Sequence, residues 1–94
     1  MMGLLSKSEL DDALKTLQDW NVSENAISRV FTFDSYMDGI EFVNKLAQEA
    51  EAHNHHPDLT VGWCTVTVAF TSHDKGGVTD QCAAMAKIAD SLSP

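Results

Sequence analysis

Positive charge is scarce in this chain. Of its 94 residues only six are Lys or Arg, against 14 Asp or Glu, and the net charge is −8 with the four histidines neutral. The six cations form no cluster, and a surface this acidic repels phosphate backbones, which argues against direct nucleic-acid binding. Cysteine is also sparse: Cys64 and Cys82 are the only two, and no C-x-x-C pair occurs. Neither a disulfide framework nor a zinc knuckle can be built from them, and a reducing compartment fits. No apolar run approaches the ~18 residues that a bilayer span needs. The segment from Met1 to Leu5 is too short for the core of a signal peptide, so the expected location is the cytoplasm, with no membrane partner. Repeats, low-complexity tracts and linkers are absent. The H-E-x-x-H pattern of zinc hydrolases is missing too.

What is present suits one small folded domain, residues 1–94. Hydrophobic residues make up 44% of the chain, more than a disordered segment carries. A domain this short buries only roughly 60–65% of the surface that its unfolded chain exposes. Burial between copies would therefore add to a thin stability margin.

The pattern along the chain predicts seven elements. Ser6 to Leu17 reads as a helix, with Ser6 and Glu9 forming a capping box and Leu10, Leu14 and Leu17 on one face. Trp20 to Val22 and Ala26 to Phe33 read as strands around the turn Ser23-Glu24-Asn25, with Ile27, Phe31 and Phe33 on one side. Asp34 or Ser35 caps a longer helix that runs to about His53 or Asn54. Its expected apolar stripe is Tyr36, Ile40, Val43, Leu46, Ala47 and Ala50. Pro57 forces it to stop. Leu59 to Trp63 and Cys64 to Ser72 read as strands, the second alternating Val66, Val68 and Phe70 with Thr65, Thr67 and Ala69. After the turn Lys75-Gly76-Gly77, Thr79 caps a last helix with Cys82, Met85, Ala86, Ala89 and Leu92 on one face. The expected fold is α+β in the order α-β-β-α-β-β-α, a four-stranded antiparallel sheet with helices on one face.

Four histidines stand out: His53, His55, His56 and His73. Three lie within four residues at the end of the long helix, and the fourth directly follows a strand. Glu51 is four residues before His55, so the two side chains would be neighbours if the helix reached that far. A carboxylate there, with the negative end of the helix dipole, would raise the pKa of His55 above its ordinary value of about 6.5. His56 precedes Pro57, so its backbone is pushed to an extended conformation and its side chain diverges from that of His55. Three readings compete. The histidines could be surface residues at a frayed helix end. They could be metal ligands, although no regular ligand spacing supports this. They could be acid–base catalysts in a cleft.

Glu51-x-x-x-His55-His56-Pro57, five residues to Trp63 and nine more to His73 together resemble the signature of the pterin-4a-carbinolamine dehydratases. The element order is similar to that family over nearly the whole chain, and Trp20 falls where the family has a tryptophan. Two positions depart from the pattern. Cys82 stands where the family has an Asp, nine residues after the third histidine, and His53 is an added histidine that reads as surface.

The resemblance implies elimination of water from a 4a-hydroxytetrahydropterin to give the quinonoid dihydropterin, with no metal and no cofactor, since the pterin is the substrate. It implies that His55 and His73 are the acid/base pair, that His56 holds the pterin ring and that Glu51 orients the histidines. Trp63 is expected to pack the cleft wall or the sheet. For Cys82 two roles are open: a small buried hydrophobe, or a thiol at the edge of the cleft that stands in for the missing carboxylate. The resemblance also implies a homodimer or homotetramer. A further class of function comes with it, because some relatives serve as dimerisation cofactors or assembly factors, so a non-catalytic protein-interaction module is the alternative.

Overall fold

The computed structural model describes residues 3–93. Helix α1 (Lys7–Leu14) opens on the expected capping box: Glu9 donates its backbone N–H to Ser6 Oγ at 3.1 Å, and Ser6 donates its own to Glu9 Oε1 at 2.9 Å. The helix stops three residues short of Leu17. Its exit tightens into bonds from the Thr16 and Leu17 N–H groups to carbonyls three residues back, which turns Leu17 into the core. Strand β1 (Asn21–Ser23) and β2 (Ala26–Thr32) then form a hairpin, with Glu24 at φ 51° in its turn. Helix α2 (Tyr36–His53) starts at Ser35, whose hydroxyl accepts the Asp38 N–H at 3.1 Å. Strands β3 (Asp58–Val61) and β4 (Thr65–Phe70) and helix α3 (Asp80–Leu92) complete the order α-β-β-α-β-β-α. The sheet runs β1-β2-β4-β3 with every neighbouring pair antiparallel.

Alternation in the strands sends Ile27, Phe31, Val66, Val68 and Phe70 to one face, where α2 and α3 cover them. Val30, Thr32, Thr60 and Thr65 remain exposed. The α2 stripe is rotated from the expected one. Gly39, Phe42, Leu46 and Ala50 are buried, whereas Tyr36 and Ala47 are exposed. Aromatic packing decides this: Phe42 lies 4.7 Å from Phe31 and 5.3 Å from Phe33 between ring centroids. Gly39 faces the same rings: a Cβ there would meet Phe33 at 3.4 Å and Val66 at 3.5 Å, ordinary contact distances. Among the described residues no helix is long and apolar enough to cross a membrane.

Thr79 takes the N-cap position of α3 without capping it through its side chain. Its hydroxyl instead bonds Ser72 Oγ at 2.8 Å. The bond ties the end of β4 to the start of α3, next to the histidines.

Candidate active site

The site begins where α2 ends. Asn54 adopts the left-handed conformation, φ 50° and ψ 42°. The His55 N–H then reaches back to the Ala50 carbonyl at 3.0 Å, and the Asn54 N–H to Glu51 at 3.3 Å. This pairing satisfies the last carbonyls of the helix and reverses the chain. His55 therefore leaves the helix surface and turns inward, with only 8% of its area exposed. Its ring stacks on Phe70, the last residue of β4, at 5.9 Å and 16°. Its Nε2 lies 3.3 Å from Cys82 Sγ.

The expected pairing of Glu51 with His55 does not occur, because the helix ends before the two can face each other. Glu51 pairs instead with Nε2 of His56, which is exposed beside Pro57. The expected rise in the His55 pKa is overturned as well. Burial pushes it below the ordinary 6.5; Asp74 opposes that effect, and the neighbouring charges of His56 and His73 add to it. Desolvation disfavours the charged form of an imidazole and outweighs a carboxylate that is not in contact with it.

His73 follows β4 and comes to the same cleft from the other side. A depression of about 260 Å³ is lined by Asn54, His55, His56, Thr71, Ser72, His73 and Asp74. Three histidines from two separate segments thus share one opening. A second depression, of about 280 Å³, lies between α2 and the end of α3 and is lined by Phe33, Asp38, Glu41, Phe42, Lys45 and Leu92. It holds no histidine or cysteine.

His53 stays on the helix surface, with Nδ1 2.9 Å from the Glu49 carbonyl oxygen, outside the cleft. Trp63 is not brought to the cleft. Gly62 and Thr65 close a tight turn through an N–H to carbonyl bond of 2.8 Å, and Trp63 stands at its corner, 82% exposed. It packs neither a cleft wall nor the sheet, and sits at the opposite end of the β3–β4 ladder from His55 and His73. Among the described residues no group of three or more His, Cys, Asp or Glu side chains could hold a metal ion.

Cys82 is fully buried, in line with Met85, Ala86 and Ala89 on the inner face of α3. It meets the His55 ring at 3.3 Å but is not among the residues that line the cleft. The sequence reading missed Ser72, Asp74 and Asn54 as parts of the site. The alternation Val66, Val68, Phe70 continues to Ser72 and could have placed it inward, and Asn54 is the residue type that most readily follows glycine into the left-handed region. Nothing in the pattern singles out Asp74.

The molecule is an antiparallel α+β domain with a histidine-lined cleft at the end of its central ladder. Comparison with known proteins gives it a family. The family model described as pterin 4 alpha carbinolamine dehydratase matches residues 3–92. A protein of Mycolicibacterium vanbaalenii carrying that dehydratase name is 38% identical over 91 residues, 97% of this chain and 98% of its own length. One from Gloeobacter violaceus is 42% identical over 89 residues, 90% of this chain and 97% of its own. The crystal structure of a transcriptional coactivator/pterin dehydratase from Brucella melitensis superposes with a TM-score of 0.92 at 29% identity, covering 96% of this chain and 98% of that one. A pterin dehydratase-like protein described as a RuBisCO assembly factor of the alpha-carboxysome shares the fold at a TM-score of 0.65, with 23% identity over 79% of this chain and 86% of that one. The chain belongs to the pterin-4-alpha-carbinolamine dehydratase family.

Proposed function

We propose that this protein removes water from a 4a-hydroxytetrahydropterin to give the quinonoid dihydropterin, by histidine acid–base catalysis and without a metal or cofactor. The observation that carries the reading is the convergence of His55, His56 and His73 on one cleft. The elimination breaks the bond from C4a to the hydroxyl oxygen. The lone pair of the adjacent ring nitrogen forms the new double bond, the nitrogen gives up its proton, and the oxygen leaves as water. One proton must be delivered and one collected, and no electrons are exchanged. Histidine serves both tasks near neutral pH. His55, held neutral by burial, and His73, exposed at the mouth, form the pair across the cleft. His56, steadied by Glu51, holds the pterin ring. The reaction takes place in the cytoplasm.

Turnover of the carbinolamine by purified protein in excess chelator tests this. His55→Ala or His73→Ala is expected to lower kcat by roughly 10²-fold or more, while His53→Ala has little effect. Loss of activity on chelation would defeat the metal-free mechanism. No turnover at all would leave the second reading, a protein-interaction module on the same fold. Trp63 is the observation that favours a protein contact. Tryptophan is enriched where interfaces bury surface, and a second copy of this chain, in a dimer or tetramer, is the partner expected.

A further inference from the structure

The buried face of His55 opens onto a small polar cluster that the proposed reaction leaves unused. Cys82 Sγ lies 3.3 Å from His55 Nε2, 3.5 Å from Ser72 Oγ and 3.6 Å from Thr79 Oγ1, and the two hydroxyls are 2.8 Å apart. Ser72, Thr79 and Cys82 are all buried, so these groups have one another in place of water. Each hydroxyl has one proton. One proton joins the two oxygens, and the other can point at sulfur. The thiol then keeps its own proton for the one strong acceptor within reach, the Nε2 lone pair. Sulfur is a weak acceptor and a neutral imidazole nitrogen a good one. The opposite arrangement, with Nε2–H aimed at sulfur, spends the ring's only donor on the weakest acceptor in the cluster.

The other ring nitrogen is free for chemistry. Nδ1 of His55 has no protein partner among the described residues, yet no buried side-chain nitrogen or oxygen there is left unsatisfied. It therefore reaches open space, and the cleft is what His55 lines. The ring stands nearly parallel to Phe70, and the 3.3 Å contact of Nε2 with Cys82 Sγ assigns which nitrogen faces the cluster. Burial keeps it neutral near pH 7, so its single proton must sit on one nitrogen or the other.

We propose that Cys82 is a positioning residue that sets the tautomer of His55: its thiol donates to Nε2, holds the imidazole proton on Nδ1 and so presents an N–H donor to the cleft. The catalytic consequence rests on the dehydratase reading. With Nδ1–H facing the substrate, His55 hydrogen-bonds the departing 4a-oxygen and His73 is the base. The C4a–O electron pair leaves with oxygen, the ring nitrogen's proton passes to His73, and the imidazolium formed there returns it through solvent to complete the water molecule. An Asp at position 82 would do the reverse. Its carboxylate accepts from Nε2–H and leaves a bare Nδ1 in the cleft.

Nitrogen-15 NMR of the imidazole rings decides this without any substrate. At about pH 7.5, above the ordinary histidine value, His55 is expected to show a protonated Nδ1 and an unprotonated Nε2. Cys82→Ala removes the donor, and Cys82→Asp replaces it with an acceptor; both are expected to move the proton to Nε2. Cys82→Ser keeps a donor and should keep it on Nδ1. A wild-type His55 protonated at Nε2 would overturn the proposal on its own, even if no variant folded, and so would a tautomer indifferent to Cys82→Ala. In turnover, Cys82→Ala is expected to lower kcat roughly tenfold, about the worth of one hydrogen bond, with KM little changed and recovery in Cys82→Ser. A flipped tautomer with unchanged kcat would overturn the catalytic half. Absence of turnover in the wild type, with the tautomer as expected, would defeat the dehydratase reading and leave the thiol–imidazole pair standing.

Discussion

The imidazole of His55 lies nearly parallel to the ring of Phe70, with planes 16° apart and centroids 5.9 Å apart. The contact joins the chain reversal after α2 to the last inward position of β4. It also takes a titratable group out of water without giving it a carboxylate in contact, the combination that lowers a histidine pKa.

Stability should therefore depend on pH through this residue. His55 titrates below 6.5 in the folded protein and at about 6.5 in the unfolded chain. Between those values the unfolded chain binds a proton that the folded protein does not, so stability rises with pH in that window. The contribution is fully present above about pH 6.5 and is lost as pH falls toward the folded value. Urea midpoints at a series of pH values should show this loss in the wild type and a smaller one in a non-titrating His55→Gln variant. Parallel curves for the two would mean that burial of His55 is not what couples folding to pH.

Glu51→Gln should leave the His55 titration where it is, because the carboxylate touches His56 instead. The expected effect is on the exposed pair, whose strength is about 0.2–1 kcal/mol. KM for the pterin should rise by no more than about fivefold with kcat nearly constant. A clear change in the NMR titration of His55 would show that the two side chains do meet in solution.

These two expectations mark where the sequence could and could not be read. The strands were legible because Val66, Val68 and Phe70 alternate strictly, and α1 because Ser6 and Glu9 form a local cap. Both signals lie within a few residues of chain. The tilt of α2 was not legible. Its sequence offers two overlapping apolar arcs, and only the rings of Phe31 and Phe33, which lie outside the helix, choose the one with Phe42. The site splits the same way. His55, His56 and His73 could be singled out by spacing, but the His55 environment could not. Extending the helix by two residues past His53 puts Glu51 beside His55, whereas the reversal at Asn54 puts Cys82 there, and Cys82 is 27 residues away in the chain.

Trp63 should matter for assembly and not for folding. At 82% exposure it contributes little to the core, so Trp63→Ala is expected to change stability by no more than about 0.5 kcal/mol. Light scattering at micromolar concentration is expected to show a dimer or tetramer for the wild type and a shift toward monomer for the variant. A wild-type monomer with full activity would remove self-association as the reason for the exposed ring. A large loss of stability in Trp63→Ala would mean that the ring is covered within its own chain.

Asn54 offers the sharpest test of how the site is built. It lines the cleft and it also makes the turn, with φ 50°, so a loss of activity on mutation could come from either role. Two substitutions separate them. Glycine removes the side chain and accepts the left-handed conformation readily. Alanine keeps the Cβ that is costly in that region, roughly 1–2 kcal/mol relative to glycine, and loses the short polar side chain that lets asparagine tolerate it. If the reversal is what matters, by delivering the His55 ring to Phe70 and Cys82, then Asn54→Gly should retain stability and most of the wild-type kcat. Asn54→Ala should be less stable than Asn54→Gly by about 1 kcal/mol and fall in kcat, with His55 signals that move toward solvent-exposed values. If both variants lose activity equally while only the alanine loses stability, the Asn54 amide acts on the substrate and the reversal is secondary. Urea unfolding, steady-state kinetics and the His55 imidazole shifts, measured on the same two proteins, read the three quantities independently.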